Sequence, residues 1–162
     1  MNLNYDYMQN LSKEDLPLWD LFRPGGENTI RGYRYGQVGS VLFDNFGRPV
    51  VVGGNKQFIA NFEYQFKIAD QFRLVFFYDA GNAWSSGTKI FSRDQVEYTL
   101  YGTTTKVSYT NPTLVRSAGI EFRFFLPISP APLRLIWAKK LNPYPFDAES
   151  KTDFQFSIGT TF

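Results

Sequence analysis

A strict alternation of aromatic and polar side chains constrains the fold of this chain more than any other feature. From Gln57 onward, polar side chains alternate with apolar ones, which are Phe58, Ala60, Phe62, Tyr64 and Phe66. Successive side chains of a β-strand point to opposite faces, so this segment has one wholly apolar face. Its length of about ten residues matches a tilted membrane-spanning strand.

Four further segments repeat the pattern, at residues 72–84, 115–126, 133–141 and 153–162. The intervening connections alternate in length: a short turn at 67–71, a long segment at 85–113, a proline-rich turn at 127–132 and a longer loop at 142–152. Within the long segment, residues 96–101 are expected to extend a hairpin beyond the membrane. Transmembrane barrels alternate short periplasmic turns with longer outer loops. The sequence therefore predicts an all-β fold of about five antiparallel, up-and-down strands.

Five such strands need partners. About eight strands are the minimum for a closed membrane barrel, and an open sheet edge in lipid leaves unpaired backbone groups at a cost of several kcal/mol each. Upstream, residues 1–28 look irregular, and two short extended arms are expected at Ser40–Phe43 and at residues 50–52. A soluble aromatic-rich sandwich would bury the apolar face under a second sheet, for which no further strands are visible.

Composition excludes several functional classes. The 162 residues are enough for one domain, with 43% hydrophobic and 19% aromatic residues. No run of 18 apolar residues predicts a transmembrane helix. Cysteine and histidine are absent, which excludes disulfides, thiolate nucleophiles and histidine-based metal sites. The net charge of +2 comes without a basic stripe, so we expect no nucleic-acid partner, and we expect no cofactor and no metal.

A single arginine in a glycine-rich loop is the main candidate for a functional residue. Arg31 lies between Gly25 and Gly39, whereas Glu63 and Asp79 lie in the middle of two predicted strands, on their polar faces. A buried carboxylate requires a cationic partner, and a guanidinium offers five donors in a fixed fork. We therefore expect both acids to hold Arg31; the alternative is a solvated loop with ordinary ion pairs. Glu121 and Arg123, on one face of a later strand, are expected to form a separate lumenal pair.

Several stretches together resemble one family, the BamA superfamily of outer-membrane β-barrel assembly and translocation proteins. Residues 25–33 (GGENTIRGY) resemble its loop signature, and residues 76–81 (FFYDAG) its strand motif with Asp and Gly. Residues 118–134 are similar to its next hairpin, and residues 154–162 (FQFSIGTTF) to its C-terminal β-signal. The resemblance runs from about Leu16 to Phe162.

The resemblance implies a barrel of about 16 strands with a long loop folded into its lumen. Residues 1–56 would supply the end of a preceding strand and this loop, and residues 57–162 the last five strands. The implied loop lock comprises Arg31, Gly32, Tyr33, Glu63, Asp79 and Gly81. The two glycines would allow close backbone approach, with ordinary loop flexibility as the alternative. The implied β-signal and barrel seam comprise Phe154, Phe156, Ile158, Gly159 and Phe162, with a simple amphipathic edge as the alternative.

The function implied is assembly rather than bond chemistry. The resemblance implies a bacterial outer-membrane factor that folds and inserts β-barrel proteins, and not an enzyme. Its implied partners are outer-membrane lipid, the remaining barrel strands, periplasmic POTRA domains, unfolded client proteins and accessory lipoproteins. A translocation pore of the two-partner secretion type and a soluble β binding domain are the alternatives. Trp84 and Trp137 are expected in an interfacial belt, with a core position as the alternative for each.

Overall fold

One antiparallel sheet of six strands forms the body of the computed structural model. The structure describes residues 1–9, 16–44, 46–92, 95–99, 106–110, 112–127, 131–147 and 151–159, with the backbone alone for most of 95–110. The strands, in chain order, are β1 (Asn2–Tyr7), β2 (Ser40–Phe43), β3 (Pro49–Gly53), β4 (Lys56–Ala69), β5 (Phe72–Trp84), β6 (Gln95–Thr99), β7 (Lys106–Thr110), β8 (Val115–Phe124), β9 (Leu133–Lys140) and β10 (Thr152–Ile158). A 3₁₀ turn spans Pro145–Asp147. No helix in the described ranges is long and apolar enough to cross a bilayer.

The strand order in the main sheet is β1-β4-β5-β8-β9-β10, so every neighbour is the next main-sheet strand along the chain. The two remaining pairs, β2–β3 and β6–β7, are hairpins inserted into the long connections before β4 and after β5. This is the up-and-down arrangement that the alternating turn lengths predicted.

The aromatic face of the sheet is exposed and the polar face is covered. On β4, Tyr64 is 65% exposed, whereas Asn61, on the opposite face, is 1% exposed. On β5, Val75 and Asp79 are completely buried on that same covered face. A soluble domain places its apolar side chains inside, whereas the reverse order suits a wall with lipid on one side and a polar lumen on the other.

Strand β1 lies within residues 1–28, for which the side-chain pattern alone predicts irregular structure, whereas the family resemblance implies the end of a preceding strand somewhere in residues 1–56. It pairs antiparallel with β4, from Asn2 opposite Asn61 to Tyr7 opposite Lys56. Its apolar residues Leu3, Tyr5 and Tyr7 do alternate with polar ones, but Asn and Asp are depleted in strands. The signal was therefore present but weak.

Several strand boundaries also differ from those predicted. Strand β4 continues through the expected turn at 67–71 to Ala69, with a register irregularity between Lys67 and Ala69. Strand β8 ends at Phe124 and β9 at Lys140, slightly before their predicted ends. Strand β10 is described only to Ile158, and the predicted seam residue Phe162 lies outside the described residues.

Trp84 does not lie in an interfacial belt. It is 1% exposed at the end of β5 and contacts the ring of Phe91 edge-on, with 5.6 Å between ring centroids. Its burial follows from the connection that folds over this end of the strand, which the local sequence does not reveal. Trp137, by contrast, is 63% exposed on the outer face of β9, the position expected for a belt residue.

Candidate functional site: the buried arginine and its carboxylates

The connection between β1 and β4 folds back onto the covered face of the sheet. Residues 22–39 form a compact series of turns, in which the Gly26 amide donates to the Tyr33 carbonyl at 2.7 Å. The Gly25 amide donates to the Thr29 hydroxyl at 2.7 Å. These bonds close the loop on itself and present Arg31 at its tip.

Arg31 is completely buried and binds three carboxylates. Its Nε and Nη2 donate to the two oxygens of Asp79, each at 2.7 Å, and its backbone amide donates to Asp79 Oδ2 at 3.1 Å. Its Nη1 donates to Glu63 Oε1 and Glu121 Oε2, each at 2.7 Å. The contacts predicted from the sequence with Glu63 and Asp79 are both present. Glu121 is a third partner that the sequence analysis had assigned to Arg123 alone.

A second layer of arginines surrounds these carboxylates. Glu121 Oε1 accepts from Arg123 Nε and from Arg134 Nε, each at 2.6 Å. Arg123 Nη2 also donates to Glu63 at 2.6 Å. Three guanidinium groups thus face three carboxylates, so the charge of this cluster is balanced where water is scarce. We call Arg31, Glu63, Asp79, Glu121, Arg123 and Arg134 the lumenal ion cluster.

Arg134 joins the cluster to the entrance of the loop. Its Nη1 donates to Asn28 Oδ1 and its Nη2 to the Glu27 carbonyl, each at 3.0 Å. In the sheet register Arg134 lies directly opposite Arg123. Like charges directly opposite each other are destabilising, and Glu121 offsets the repulsion because it binds both. The alternation of the sequence already places Glu121, Arg123 and Arg134 on the polar faces of their strands. Only the register of β8 with β9 brings the three side chains together.

Electrostatics keep Arg31 charged. Burial alone would lower the pKa of its guanidinium, but the hydrogen bond and charge of Asp79, with the charges of Glu121 and Glu63, raise that pKa above its ordinary value. The guanidinium also stacks on Phe77, with 3.9 Å between Cζ and the ring centroid, a contact that favours a cation. The side chain is therefore a fixed positive charge and not a proton donor.

Gly32 and Gly81 lie where the loop meets the sheet most closely. Gly32 has a φ of +89°, and a Cβ there would lie 2.8 Å from Cβ of Ala138 on β9. A Cβ at Gly81 would lie 2.6 Å from the Phe58 carbonyl oxygen and 2.8 Å from Cδ1 of Ile30. Both positions therefore require glycine for packing, beyond any flexibility that they give the chain.

Tyr33 and Tyr144 complete an apolar cluster over the ion cluster. Ile30, Tyr33, Val38, Val41, Val115 and Tyr144 pack together, each at most 1% exposed. The Tyr144 hydroxyl donates to the Gly39 carbonyl at 3.1 Å and accepts from the Gly39 amide at 2.9 Å. Burial, with the nearby Tyr144 and Asp147, raises the pKa of the Tyr33 phenol. The connection after β9, which carries Tyr144, therefore packs against the loop.

Strand β10 carries the predicted seam residues. Phe154, Phe156 and Ile158 are 65%, 59% and 65% exposed on the outer face. On the inner face, Gln155 Nε2 donates to the Tyr33 carbonyl at 3.3 Å, which links the loop to the last strand. The Gly159 amide donates to the Pro132 carbonyl at 3.2 Å, and a Cβ at Gly159 would meet no atom within 4 Å.

The carboxylates and guanidinium groups of the lumenal ion cluster pair with one another. The three carboxylates are all bonded to guanidinium groups. In the part of the chain that the structure describes, no group of acidic, cysteine or histidine side chains is placed to hold a metal ion. The arrangement provides a hydrogen-bonded connection between the loop and four strands, β4, β5, β8 and β9.

Comparison with known proteins identifies the family of this chain. The sequence profile of the Omp85 superfamily domain matches residues 1–162. The chain is 32% identical over 161 residues to the outer membrane protein assembly factor BamA of Neisseria meningitidis serogroup B, and this match covers 92% of the chain and 19% of that protein. The chain thus spans about a fifth of the length of this curated relative.

A solved structure shows the same fold. The crystal structure of BamA from Haemophilus ducreyi lacking POTRA domains 1–3 matches with a TM-score of 0.66 at 23% identity, over 99% of this chain and 34% of that one. The profile match over all 162 residues decides the family, and the solved barrel agrees with the up-and-down sheet described above. The chain therefore belongs to the Omp85 superfamily of bacterial outer-membrane β-barrel proteins.

Proposed function

We propose that this protein folds β-barrel proteins and inserts them into the outer membrane through a barrel seam beside β10. The observation that carries the proposal is the outer edge of β10. This strand pairs with β9 on one side, and in the whole barrel its other side would meet the first strand at the seam. An exposed strand edge is a template for pairing with another extended segment.

The backbone of β10 presents alternate groups to that edge. The Lys140 amide donates to the Lys151 carbonyl at 2.7 Å, and the Gly159 amide donates to the Pro132 carbonyl at 3.2 Å. In an antiparallel ladder the bonded positions alternate, so the odd-numbered residues of β10 bond to β9. The amides of Phe154, Phe156 and Ile158 therefore face the open edge and are available to a client strand.

The lumenal ion cluster supports this edge from inside. It fixes the infolded loop to β4, β5, β8 and β9, and the Gln155–Tyr33 hydrogen bond carries the connection to β10. We infer that the lock formed by Arg31, Glu63 and Asp79 holds the wall rigid while the seam opens. Under this proposal the protein acts as a catalyst by lowering the kinetic barrier to insertion, and it breaks no covalent bond.

The partners follow from the same proposal. The aromatic outer face would contact outer-membrane lipid. The remaining barrel strands would pair with β1 and would meet β10 at the seam, whose opening makes the edge of β10 available to a client. Periplasmic POTRA domains would deliver unfolded outer-membrane clients, with accessory lipoproteins bound to them. The solved relative is a BamA lacking POTRA domains 1–3, and the presence of POTRA domains in this protein is part of the proposal.

Proline substitution of the full-length protein tests the seam. Phe156→Pro removes an amide from the open edge, whereas Phe156→Ala removes the same ring and keeps that amide. With the protein reconstituted in liposomes, an unfolded outer-membrane barrel is added, and its folding is followed by the gel shift of the unboiled product. We expect Phe156→Pro to slow client folding at least about fivefold relative to Phe156→Ala, since one backbone hydrogen bond is worth about 1 kcal/mol.

A third variant separates seam loss from misfolding. Ser157→Pro removes an amide that bonds to β9, so it should disrupt β10 itself and expose the sheet to protease. Equal client folding by Phe156→Pro and Phe156→Ala would refute pairing at this edge. Release of a client across the bilayer without its insertion would instead favour the alternative of a secretion-type translocation pore.

A further inference from the structure

We propose that Arg116, Lys139 and the groove beside Ala118 form a binding site for a phosphorylated lipid of the outer leaflet. The phosphate would lie between the two cations, and an acyl chain would lie in the groove. This site is on the outer face of the sheet, separate from the lumenal ion cluster and from the open edge of β10.

The position of the site along the strands places it at the outer leaflet. The connections from β5 to β8 and from β9 to β10 are the long ones, and long loops of outer-membrane barrels face outward. Arg116 is the second residue of β8, and Lys139 is the second-last residue of β9. Both therefore lie at the end of the sheet where the membrane meets the external medium.

The register brings the two cations together. Lys139 is directly opposite Ala118, and Arg116 is two residues from Ala118 along β8. Such diagonal neighbours share one face, with about 7–8 Å between them. Both side chains are exposed, and a phosphate group fits between a guanidinium fork and an ammonium group at this separation.

A groove begins at Lys139, next to Arg116, and continues toward the membrane centre. It has a volume of about 360 Å³ and is lined by Ala118, Ile120, Trp137, Lys139 and Thr152, among others. The small side chain of Ala118 forms its floor, between the larger Ile120 and Trp137. Trp137 is 63% exposed, and tryptophan is enriched where the hydrocarbon meets the headgroups. The groove is therefore apolar on the membrane side and cationic at its outer end.

Among the described residues, the lack of a bonded partner distinguishes these two cations from those of the lumenal ion cluster and from Lys67. The arginines of the lumenal ion cluster are bonded to carboxylates, and Lys67, near the opposite end of the sheet, pairs with Asp70 at 2.6 Å. The side chains of Arg116 and Lys139 make no ion pair or hydrogen bond with any residue described in the structure. Two neighbouring positive charges that pair with no described acid, above an apolar groove, match an anionic headgroup with its acyl chain.

Lipid retention by the purified full-length protein tests the proposal. The protein in nonionic detergent is mixed with diphosphorylated lipid A, with the same lipid after phosphatase treatment, or with phosphatidylethanolamine, and bound lipid is counted by native mass spectrometry. We expect diphosphorylated lipid A to remain bound to the protein and the dephosphorylated lipid not to be retained. Equal binding of the two forms would overturn the assignment of a phosphate site.

Charge variants locate the site. Arg116→Gln and Lys139→Gln should each weaken binding about fivefold, because a basic residue near an anionic surface contributes about 1 kcal/mol. Lys67→Gln makes the same charge change at the other end of the sheet and should leave binding unchanged. An equal loss in Lys67→Gln would show non-specific charge attraction and overturn the site.

A further variant tests the role of the groove separately from that of the two cations. Ala118→Leu fills the floor of the groove and keeps both cations, so it should weaken lipid binding. Free inorganic phosphate, which lacks an acyl chain, should compete poorly with the lipid for both the parent protein and this variant. If inorganic phosphate displaces the lipid at equal concentration, or Ala118→Leu has no effect, the acyl chain has no role and the proposal fails. Unchanged hydrogen exchange of the infolded loop in each variant shows that the fold is intact.

Discussion

Removal of one charge from the lumenal ion cluster should loosen the infolded loop by a large factor. Asp79 is completely buried and accepts four hydrogen bonds: three from Arg31, at 2.7, 2.7 and 3.1 Å, and one from Asn61 Nδ2, at 2.8 Å. Asp79→Asn keeps the size of the side chain but leaves three guanidinium groups facing two carboxylates. It also turns an amide donor toward the donors of Arg31.

The expected cost is that of a broken buried ion pair, about 3–5 kcal/mol. If the loop opens locally, this raises its opening equilibrium roughly 150- to 5,000-fold. Hydrogen exchange of the full-length protein in detergent measures this directly, at the amides of Thr29, Arg31 and Tyr33. These amides donate to Gly26, Asp79 and Ile30 in the closed loop, so they exchange only when it opens.

Two variants serve as controls. Asp44→Asn removes an exposed partner of Arg48 in the same long connection, and such surface pairs contribute at most about 1 kcal/mol. Arg31→Gln combined with Asp79→Asn restores charge balance, so its cost should be smaller than the sum of the two single variants. Exchange in Asp79→Asn no faster than in Asp44→Asn would refute the reasoning that the cluster holds the loop.

Three further results are expected. Gly32→Ala should speed exchange of the loop amides by at least about fivefold, because strain at a positive φ costs about 1–3 kcal/mol and a Cβ there meets Ala138 at 2.8 Å; unchanged exchange would show that the loop does not need this close approach. Glu121→Gln should release both the loop tip and its entrance, so protease cleavage within residues 25–34 should rise, whereas cleavage confined to one end would contradict a shared role. The Arg48 amide and guanidinium hold the pKa of Asp44 below its ordinary value of 3.8. A depressed pKa contributes stability above the unfolded value that is lost as pH falls through the folded one. Protection of the β2–β3 amides, taken relative to the intrinsic exchange rate at each pH, should therefore fall only below about pH 4, and a loss of protection near neutral pH would contradict this.

Much of the candidate site was predictable because the signals for it lie within single strands and a single loop of the sequence. Glu63 and Asp79 interrupt the polar face of otherwise aromatic strands, and a buried carboxylate requires a cation wherever it lies. Arg31, in a glycine-rich loop before both strands, was the matching donor. The resemblance to a known family added Gly32, Tyr33, Gly81 and the β10 residues. The roles of these residues as a lock and a seam remain predictions.

Other parts of the site were not predictable from local sequence. Arg134 enters the ion cluster because the register of β8 and β9 sets it opposite Arg123, and Glu121 reaches three arginines at once for the same reason. Trp84 is buried because a long connection folds over the end of β5. Strand β1 has the alternation of a strand, but its Asn and Asp residues weaken that signal, and only its pairing with β4 reveals it as a strand.

The sequence by itself determined which face of each strand is apolar, because side-chain direction alternates with a period of two whatever the strand pairs with. It also determined that the polar face must hold paired charges. The tertiary structure alone decided which charges meet, because partner choice depends on strand register and on the path of long connections. Those are set by contacts between residues far apart in the chain, such as Arg31 with Glu121, and no local pattern encodes them.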